Sequence, residues 1–313
     1  MRIFMHIATA ALAAVLSMHP CMAADNGKQD KPLILFFESD VHGAVNGYPL
    51  LAGYRNAVIA ADTAYVGTVC VGDFMHGSEV VTADGCAFLP AILNAVGYDV
   101  ITLGNHEFDR PVTDQKKVLD QVETPVICCN LTDMATGETV YPPSVMKQFG
   151  PVRVGFVGVL TPMALRIDRT GFYDAEGKQL YDVKSDEIPA LVQAETDKLR
   201  AAGADYVVLL SHLGESSRMG GMSSVQVIGA TNGIDAVLDS HTHSVIPQQT
   251  APNKDGKDIV YAQTGNKMAN IGQLTIRPDG SASTCLIPVS SITLTDEKVA
   301  AAVSEALSKT SAE

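Results

Sequence analysis

Two short motifs in this sequence have the residue types and the spacing of metal ligands. Asp40 and His42 lie two residues apart, as do His241 and His243. On an extended backbone, side chains two residues apart point to the same face, so each pair could bind one ion. Two imidazoles at this spacing suit a borderline metal, whereas Asp-x-His taken alone is equally consistent with a surface turn.

A third motif, residues 104–109, reads Gly-Asn-His-Glu-Phe-Asp. Asn105 offers an amide oxygen, a good donor to a hard or borderline cation. His106 beside it could face a substrate, and Asp109 could orient the His106 ring and stabilise its protonated form. The motif therefore predicts a catalytic pair, His106 and Asp109, next to a metal-binding asparagine.

Two weaker candidates complete the set. Asp73 follows a glycine, but Gly-Asp is also a frequent turn pair, and His212 alone is equally consistent with a core histidine. The distribution of the histidines favours a functional site. The sequence has eight histidines, two of them in the first 24 residues, and five of the other six lie in the motifs. Only His76 lies outside them, close to Asp73 along the chain.

Each candidate follows a short apolar run that is typical of a buried strand. The runs are Pro32–Phe37, Ala64–Val71, Val100–Leu103, Tyr206–Leu210 and Ala236–Leu238. In open α/β sheets, ligands bind at the carboxyl ends of the strands. The five sets of polar residues are therefore expected to form one shared site.

The remaining apolar pattern predicts an α/β fold, because strands and helices alternate along the chain. Further predicted strands are Val126–Cys129, Val152–Leu160, Ile259–Ala262, Ile271–Ile276 and Ser283–Val289, the last two joined by a turn at 278–280. Predicted helices are Cys86–Val96, Ile188–Ala202 and Thr295–Glu313, the last capped by Thr295 or Asp296.

The N-terminus predicts a signal peptide over residues 1–24, followed by a flexible leader over residues 25–31. Arg2 precedes an apolar run, Ile7–Leu16, that is too short to span a bilayer comfortably. Cleavage is expected after Ala23 or Ala24. A lipoprotein anchored at Cys21 is the less favoured alternative, because the residues before it are not small. The expected location is periplasmic or secreted, with no later transmembrane segment.

The composition of the chain limits the classes of molecule that it could bind. The chain has 313 residues, 46% hydrophobic and 18% charged, as in globular proteins, and a formal net charge of −13. Such a charge repels nucleic acid polymers and acidic membranes, and it would repel a phosphate unless bound cations reversed the local field. Cys70, Cys128 and Cys129 lie in apolar runs and are expected to be buried residues without chemical roles.

In their order along the chain, these motifs resemble the calcineurin-like metallophosphoesterase superfamily. The strings at 39–43, 72–78, 105–109, 211–214 and 241–243 resemble the catalytic domain of the 5′-nucleotidase family, and the resemblance covers Lys31 to Val289. It implies a four-layer α/β/β/α sandwich with two mixed sheets. The catalytic domain would occupy residues 32–294, followed by a C-terminal helix over residues 295–313.

The resemblance also implies a role for each residue and two divalent cations, zinc, manganese, iron or cobalt. One ion would be bound by Asp40, His42 and His243, the other by Asn105, His212 and His241, with Asp73 bridging both. A water activated by the metals would attack phosphorus. His106, oriented by Asp109, would help the leaving group depart.

The sequence also departs from that family. Members that hydrolyse nucleotides normally carry a C-terminal domain with substrate contacts, which we expect to be missing from this sequence, so a separate chain supplying it is one candidate partner. Asp239 and Ser240 stand where members commonly have glycines, which we interpret as tolerated.

The predicted function is hydrolysis of phosphate monoesters, with nucleotides as the substrate. The alternatives on the same site are a cyclic-nucleotide phosphodiesterase, a nucleotide-sugar diphosphatase and a sulfur-ester hydrolase. A non-catalytic metal-binding subunit is disfavoured, since a degenerate member would be expected to lose part of the ligand set or of the His106–Asp109 pair.

Overall fold

The computed structural model describes residues 29–217 and 221–310, so the predicted signal peptide lies outside the described residues. The strands, in chain order, are β1 (Leu33–Glu38), β2 (Tyr65–Cys70), β3 (Val100–Thr102), β4 (Val126–Ile127), β5 (Leu131–Asp133), β6 (Ser144–Phe149), β7 (Val152–Leu160), β8 (Tyr181–Val183), β9 (Tyr206–His212), β10 (Ala236–Asp239), β11 (Val245–Pro252), β12 (Asp258–Thr264), β13 (Asn270–Ile276) and β14 (Ala282–Pro288).

Helices lie between and after these strands. They are α1 (Tyr48–Ala60), α2 (Glu79–Thr82), α3 (Leu89–Val96), α4 (Val112–Leu119), α5 (Met163–Ile167), α6 (Arg169–Phe172), α7 (Ile188–Ala201), α8 (Ser224–Ala230) and α9 (Glu297–Thr310). A 3₁₀ turn, Asn105–Phe108, follows β3 and carries part of the candidate site. No helix in the described part of the chain is both long and apolar enough to cross a membrane.

The strands form two six-stranded mixed sheets, which confirms the predicted fold class. The first has the order β14-β13-β1-β2-β3-β4. Strands β1 to β4 are parallel to one another, β13 is antiparallel to β1, and β14 is antiparallel to β13. The second has the order β11-β12-β10-β9-β7-β6, with the four central strands parallel and both edge strands antiparallel. Strands β5 and β8 pair separately.

Alternation along the strands produces the four layers. In β1, Leu35 and Phe37 lie in the apolar core between the two sheets, whereas Phe36 faces the helices on the outer side. In β9, Leu210 faces the inter-sheet core and Leu209 faces α7 and α8. Side chains alternate across a strand, so both faces of each sheet are buried. Complete burial of one such side chain contributes about 1.5–3 kcal/mol.

One predicted helix agrees closely with the structure, and another begins later than predicted. Helix α7 matches its prediction to within one residue. Helix α3 ends at Gly97, as predicted, but begins at Leu89 rather than at Cys86. The reason is that Cys86 has a φ of +69°, in the left-handed region that cannot continue a right-handed helix.

Helix α9 is part of the same core as the first sheet. Val299 and Val303 are buried in the apolar cluster that also contains residues of α1 and α3. Asp296 Oδ1 accepts a hydrogen bond from the backbone N–H of Val299 at 2.9 Å, so Asp296 caps the helix.

The N-terminal end of the described chain is attached to both sheets. Gln29 Nε2 donates to the carbonyl of Ile276 at 3.0 Å, and the Tyr206 hydroxyl donates to Gln29 Oε1 at 3.0 Å. Residues 29–31, expected as part of a flexible leader, thus begin the ordered contacts. The cysteines predicted to be buried, Cys70, Cys128 and Cys129, are buried and free.

Candidate metal centre

The predicted site residues all follow strands that end at one edge of the sandwich. Asp40 and His42 follow β1, Asp73 follows β2, the 3₁₀ turn follows β3, His212 ends β9, and the His-x-His pair follows β10. The two sheets meet here, since the backbone N–H of His241 donates to Asp40 Oδ1 at 3.2 Å. The structure therefore brings together the residues that the motifs predicted as one group.

Asp73 lies at the centre of this group. Its Oδ2 is 3.2 Å from His212 Nε2 and 3.7 Å from His42 Nε2. Its Oδ1 accepts a hydrogen bond from the backbone N–H of His106 at 2.9 Å. Only 1% of the residue is exposed, so its charge is hardly screened by water.

One group of potential ligands surrounds His42. His42 Nε2 and His243 Nε2 face each other at 2.9 Å, and His243 Nε2 lies 3.5 Å from Asp40 Oδ1. The ligand atoms of Asp40, His42, Asp73 and His243 all lie within 4.8 Å of one another. Ring nitrogens and carboxylate oxygens that converge in this way have the composition of a site for zinc or another borderline cation.

A second group contains Asn105, His212 and His241. His212 Nδ1 donates to the carbonyl of Val71 at 2.7 Å, which directs Nε2 towards Asp73 Oδ2. Such a hydrogen bond from the other ring nitrogen fixes the tautomer of a metal-binding histidine. The rings of His212 and His241 are 5.3 Å apart between centroids.

Several buried polar atoms at this site have no hydrogen-bond partner among the described residues. They are Asp40 Oδ2, His42 Nδ1, Asn105 Oδ1, His212 Nε2 and His241 Nε2. Buried polar atoms are nearly always paired, and leaving one unpaired costs about 1–3 kcal/mol. These atoms come from both groups and are all capable of binding a metal, so the residues fit bound divalent cations.

The backbone at the site adopts an uncommon conformation. Asp40, His42, Asp73, His241 and His243 have φ angles between +45° and +76°, in the left-handed region that non-glycine residues rarely occupy. Residues held there cost of order 1–3 kcal/mol each and cluster at functional sites.

The charges of the two central carboxyl groups differ. Burial, together with the nearby charge of Asp73, raises the pKa of Asp40 to about 8, although His212 opposes the shift. Burial also acts to raise the pKa of Asp73, but the positive charge of His212, 3.2 Å away, outweighs it and holds that pKa below its usual value. Without a cation, one carboxylate of the pair is thus strongly favoured as the charged one.

The histidines of the site also differ in charge. Burial lowers the pKa of His42 to about 4 and that of His241 to about 3, so both rings are neutral and able to bind a metal. Burial also acts to lower the pKa of His212, but the carboxylates of Asp73 and Asp40 outweigh burial and raise that pKa to about 10. A bound cation would replace that proton.

His106 and Asp109 form the predicted pair. His106 Nδ1 lies 3.1 Å from Asp109 Oδ1 and 3.2 Å from Oδ2. Burial acts to lower the pKa of His106, but the hydrogen bond to Asp109 and the charge of Asp73 raise it to about 9. The imidazole is therefore protonated at neutral pH, as a proton donor requires.

Glu107 lies in the motif of residues 104–109 and has no role predicted from the sequence. Its carboxylate accepts hydrogen bonds from the backbone N–H groups of Gly104, Asp73, Phe74 and Met75 at 2.6, 2.8, 2.8 and 3.0 Å. It thereby joins the loop after β2 to the turn after β3. Its position between two histidine-bearing loops depends on the fold, so only its place in the Asn-His-Glu string could have suggested it.

Asp239 and Ser240, interpreted as tolerated departures, make specific contacts. Asp239 Oδ2 accepts from Gln263 Nε2 at 2.7 Å, and its Oδ1 accepts from the backbone N–H of Gly214 at 3.1 Å. Ser240 Oγ lies 2.7 Å from His212 Nδ1. Both residues support the loop that carries the His-x-His pair.

Comparison with known proteins places this geometry in a family. The family model described as calcineurin-like phosphoesterase matches residues 35–245, about two thirds of the chain. The chain belongs to the calcineurin-like phosphoesterase family. The match covers β1 to the start of β11, and the seven potential metal ligands all lie within it.

Curated relatives in this family are longer than the chain. It is 25% identical over 291 residues to the 2′,3′-cyclic-nucleotide 2′-phosphodiesterase/3′-nucleotidase of Haemophilus influenzae, covering 83% of this chain and 43% of that protein. It is 30% identical over 192 residues to the 5′-nucleotidase of Bos taurus, covering 59% of this chain and 30% of that protein. The chain thus spans less than half the length of either relative.

Solved structures show the same fold. The calcineurin-like phosphoesterase YfkN from Bacillus subtilis has a TM-score of 0.72 at 19% identity, over 90% of this chain and 98% of that one. A 5′-nucleotidase precursor from Thermus thermophilus has a TM-score of 0.74 at 17% identity, over 90% of this chain and 59% of that one. These similarities confirm the metallophosphoesterase fold.

Proposed function

We propose that this protein is a dinuclear-metal phosphoesterase that hydrolyses phosphate monoesters, with nucleotides as its substrate class. The observation that carries the proposal is the position of Asp73. Its Oδ2 contacts His42 Nε2 at 3.7 Å and His212 Nε2 at 3.2 Å, and these histidines belong to the two different groups of potential ligands. One carboxylate shared by both groups supports a bridging role between two ions.

The donor sets support two adjacent cation sites. Asp40, His42 and His243 would hold one ion, Asn105, His212 and His241 the other, and Asp73 both. Nitrogen and oxygen donors in this mixture suit zinc, manganese, iron or cobalt. When bound, the ions supply positive charge for a phosphate in a chain of net charge −13 and lower the pKa of a water nucleophile.

His106 is proposed to manage the proton on the leaving group. Its Nδ1 is held by Asp109 at 3.1 Å, so the remaining ring nitrogen is the one that would donate to the leaving-group oxygen. The ionised Asp109 carboxylate favours the protonated form of the ring. The protonated ring also offers a charge that stabilises negative charge developing on the phosphate oxygens.

The experiment is a substrate panel with metal-loaded protein. With manganese or zinc, purified protein is expected to hydrolyse p-nitrophenyl phosphate and 5′- or 3′-nucleoside monophosphates. Chelated protein and the His106→Asn variant serve as controls, the first lacking metal and the second expected to retain it. Absence of metal-dependent turnover across the whole panel would overturn the proposal.

A second candidate is hydrolysis of a 2′,3′-cyclic nucleotide, because the relative from Haemophilus influenzae is named for that activity as well as for a 3′-nucleotidase. The reaction would use the same residues. Adding 2′,3′-cyclic AMP to the panel distinguishes the two, since a monoesterase alone would leave it intact. Export to the periplasm or medium is proposed from residues 1–24 and is tested by fractionating cells that express the full chain.

A further inference from the structure

His76 lies within the catalytic cluster, although it was the one histidine of the predicted mature chain outside the motifs. Its Nδ1 is 2.5 Å from Asp109 Oδ2. Its ring stacks on the ring of His106, with centroids 4.1 Å apart and planes inclined by 25°. The ring of His42 meets it edge-on at 5.5 Å. His76 therefore contacts both members of the pair and one potential metal ligand.

The backbone fixes the position of His76 from two sides. The N–H of Met75, just before it, donates to Glu107 Oε1 at 3.0 Å. Gly77, just after it, lies so close to the backbone of His42 that an added Cβ would be 2.2 Å from the His42 carbonyl oxygen. The loop is thus attached to both the turn that carries His106 and the loop that follows β1.

Asp109 is shared between two imidazoles. It lies 2.5 Å from His76 Nδ1 and 3.1 Å from His106 Nδ1. Burial acts to raise the pKa of Asp109, but the hydrogen bonds and charges of His106 and His76 hold it below its usual value. An ionised carboxylate only accepts hydrogen bonds, so Nδ1 carries the proton in both rings.

We infer that His76 is a positioning residue for the catalytic pair. Its hydrogen bond orients the Asp109 carboxylate, and its ring, stacked on His106, holds that imidazole against rotation. Both contacts would keep the reactive nitrogen of His106 directed at the leaving-group oxygen. The inference rests on the proposed function, because it assigns His76 a part in the same reaction.

Two variants separate the two contacts. His76→Phe keeps an aromatic ring on His106 and loses the hydrogen bond, whereas His76→Gln keeps a donor for Asp109 and loses the stack. Lys117→Gln is the matched control, since it removes an exposed 2.7 Å contact with Asp114 on the neighbouring helix α4. Each is assayed on p-nitrophenyl phosphate, which has a good leaving group, and on an alkyl phosphate, which has a poor one.

A poor leaving group needs the proton from His106 more than a good one does. The expected result is that kcat for the alkyl phosphate falls roughly 10- to 100-fold in at least one His76 variant, as when other supporting partners are removed. The loss on p-nitrophenyl phosphate should be smaller, with KM and metal content as in the control. Equal losses on both substrates, or loss of metal, would overturn the positioning role.

A second measurement does not depend on turnover. In proton NMR of the metal-loaded protein, the Nδ1–H protons of both rings should appear far downfield, because each is hydrogen-bonded to a carboxylate. His76→Phe should remove one signal and shift that of His106. An unchanged His106 signal would contradict the shared carboxylate even if the wild-type protein hydrolysed none of the panel, whereas absent turnover alone would count only against the proposed function.

Discussion

Asp73 contacts three other residues of the site. It contacts a histidine from each group of potential ligands and also accepts the backbone N–H of His106. A single substitution should therefore affect metal binding and the position of the catalytic histidine together. The other potential ligands can be replaced with more limited consequences.

We expect Asp73→Asn to bind at least one metal ion fewer per chain than the wild-type protein. Asparagine keeps the shape and tolerates the φ of +60° found here, so the lost negative charge is the main change. Metal content is measured by mass spectrometry after dialysis against metal-free buffer. His106→Asn is the control and should retain its metals; two ions at full occupancy in Asp73→Asn would rule out the bridging role.

Asp40 should make the chelated protein less stable as the pH rises. Its pKa in the folded state is about 8 against 3.8 for an unperturbed side chain, so the folded state retains a proton that the unfolded chain loses. The contribution of this carboxyl to stability is complete below pH 4 and is lost as the pH rises through 8.

Urea unfolding of chelated wild-type and Asp40→Asn proteins tests this sign. Asparagine is neutral at every pH, so the variant should gain stability relative to the wild type between pH 5 and 8.5. With saturating metal the order should reverse, because the variant lacks a ligand. A stability difference that does not change with pH would show that Asp40 is already ionised in the metal-free protein.

At the scale of elements, the site depends on how the loops after the strands are joined to one another. Glu107 provides one such connection, since its buried carboxylate accepts N–H groups from the loop after β2 and the turn after β3. No helix or strand supplies these hydrogen bonds. The relative position of Asp73 and His106 is therefore maintained by the Glu107 carboxylate together with the hydrogen bond from the His106 N–H to Asp73 Oδ1.

Glu107→Gln should lower both stability and metal affinity. In glutamine an NH2 group, which cannot accept a hydrogen bond, replaces one carboxylate oxygen, so the backbone donors on that side would be left unpaired, at about 1–3 kcal/mol each. The free energy of unfolding and the metal dissociation constant are measured together, with the exposed Glu123→Gln as the matched control. Unchanged values for both in Glu107→Gln would contradict the connecting role of this carboxylate.

The sequence predicted the central strands of the sheets better than the edge strands. Strand β7 matches its prediction because it is a long apolar run buried between neighbours. Strands β6 and β11 were missed, since their side chains are mostly half-buried or exposed and show no apolar run. Helix α1 was missed because its apolar residues are spread around the helix rather than along one face.

The same distinction applies to the site. Residue types and strand ends predicted which ligands would come together, because parallel strands end at a common edge. Glu107 and His76 were not predicted as contributors. Their roles arise where loops about 30 residues apart meet, as between Asp73 and Glu107 or between His76 and Asp109. Such contacts leave no periodic signal in the sequence.

At the scale of the whole molecule, the centre lies where the two sheets adjoin. Potential ligands come from both sheets, with Asp40 and Asp73 from the first and His212 and His243 from the second. Binding of ions by groups on both sheets would link the halves of the sandwich. Metal should therefore stabilise the entire domain rather than one loop.

Chelation should lower the melting temperature in one cooperative transition. At metal concentrations about 100-fold above the dissociation constant, binding adds about 2.7 kcal/mol, which corresponds to roughly 5–10 °C in a domain of this size. Differential scanning calorimetry with and without a chelator measures the shift. Asp73→Asn is the matched control and should shift less; a shift as large in this variant would mean that the stabilising ions bind elsewhere.

The left-handed backbone at Asp40, His42, Asp73, His241 and His243 has a consequence for how the protein acquires its ions. Hydrogen bonds between the loops support these angles, as from the N–H of Asp40 to the carbonyl of Gly72 at 3.0 Å and from the N–H of His42 to the carbonyl of Asp73 at 3.1 Å. We therefore expect the backbone to hold the ligand residues in place, so that binding an ion would need only side-chain adjustment. Metal binding and release should then be rapid and reversible, and the far-UV circular dichroism spectrum should not change when metal binds. The folded protein would exchange one metal for another according to their concentrations.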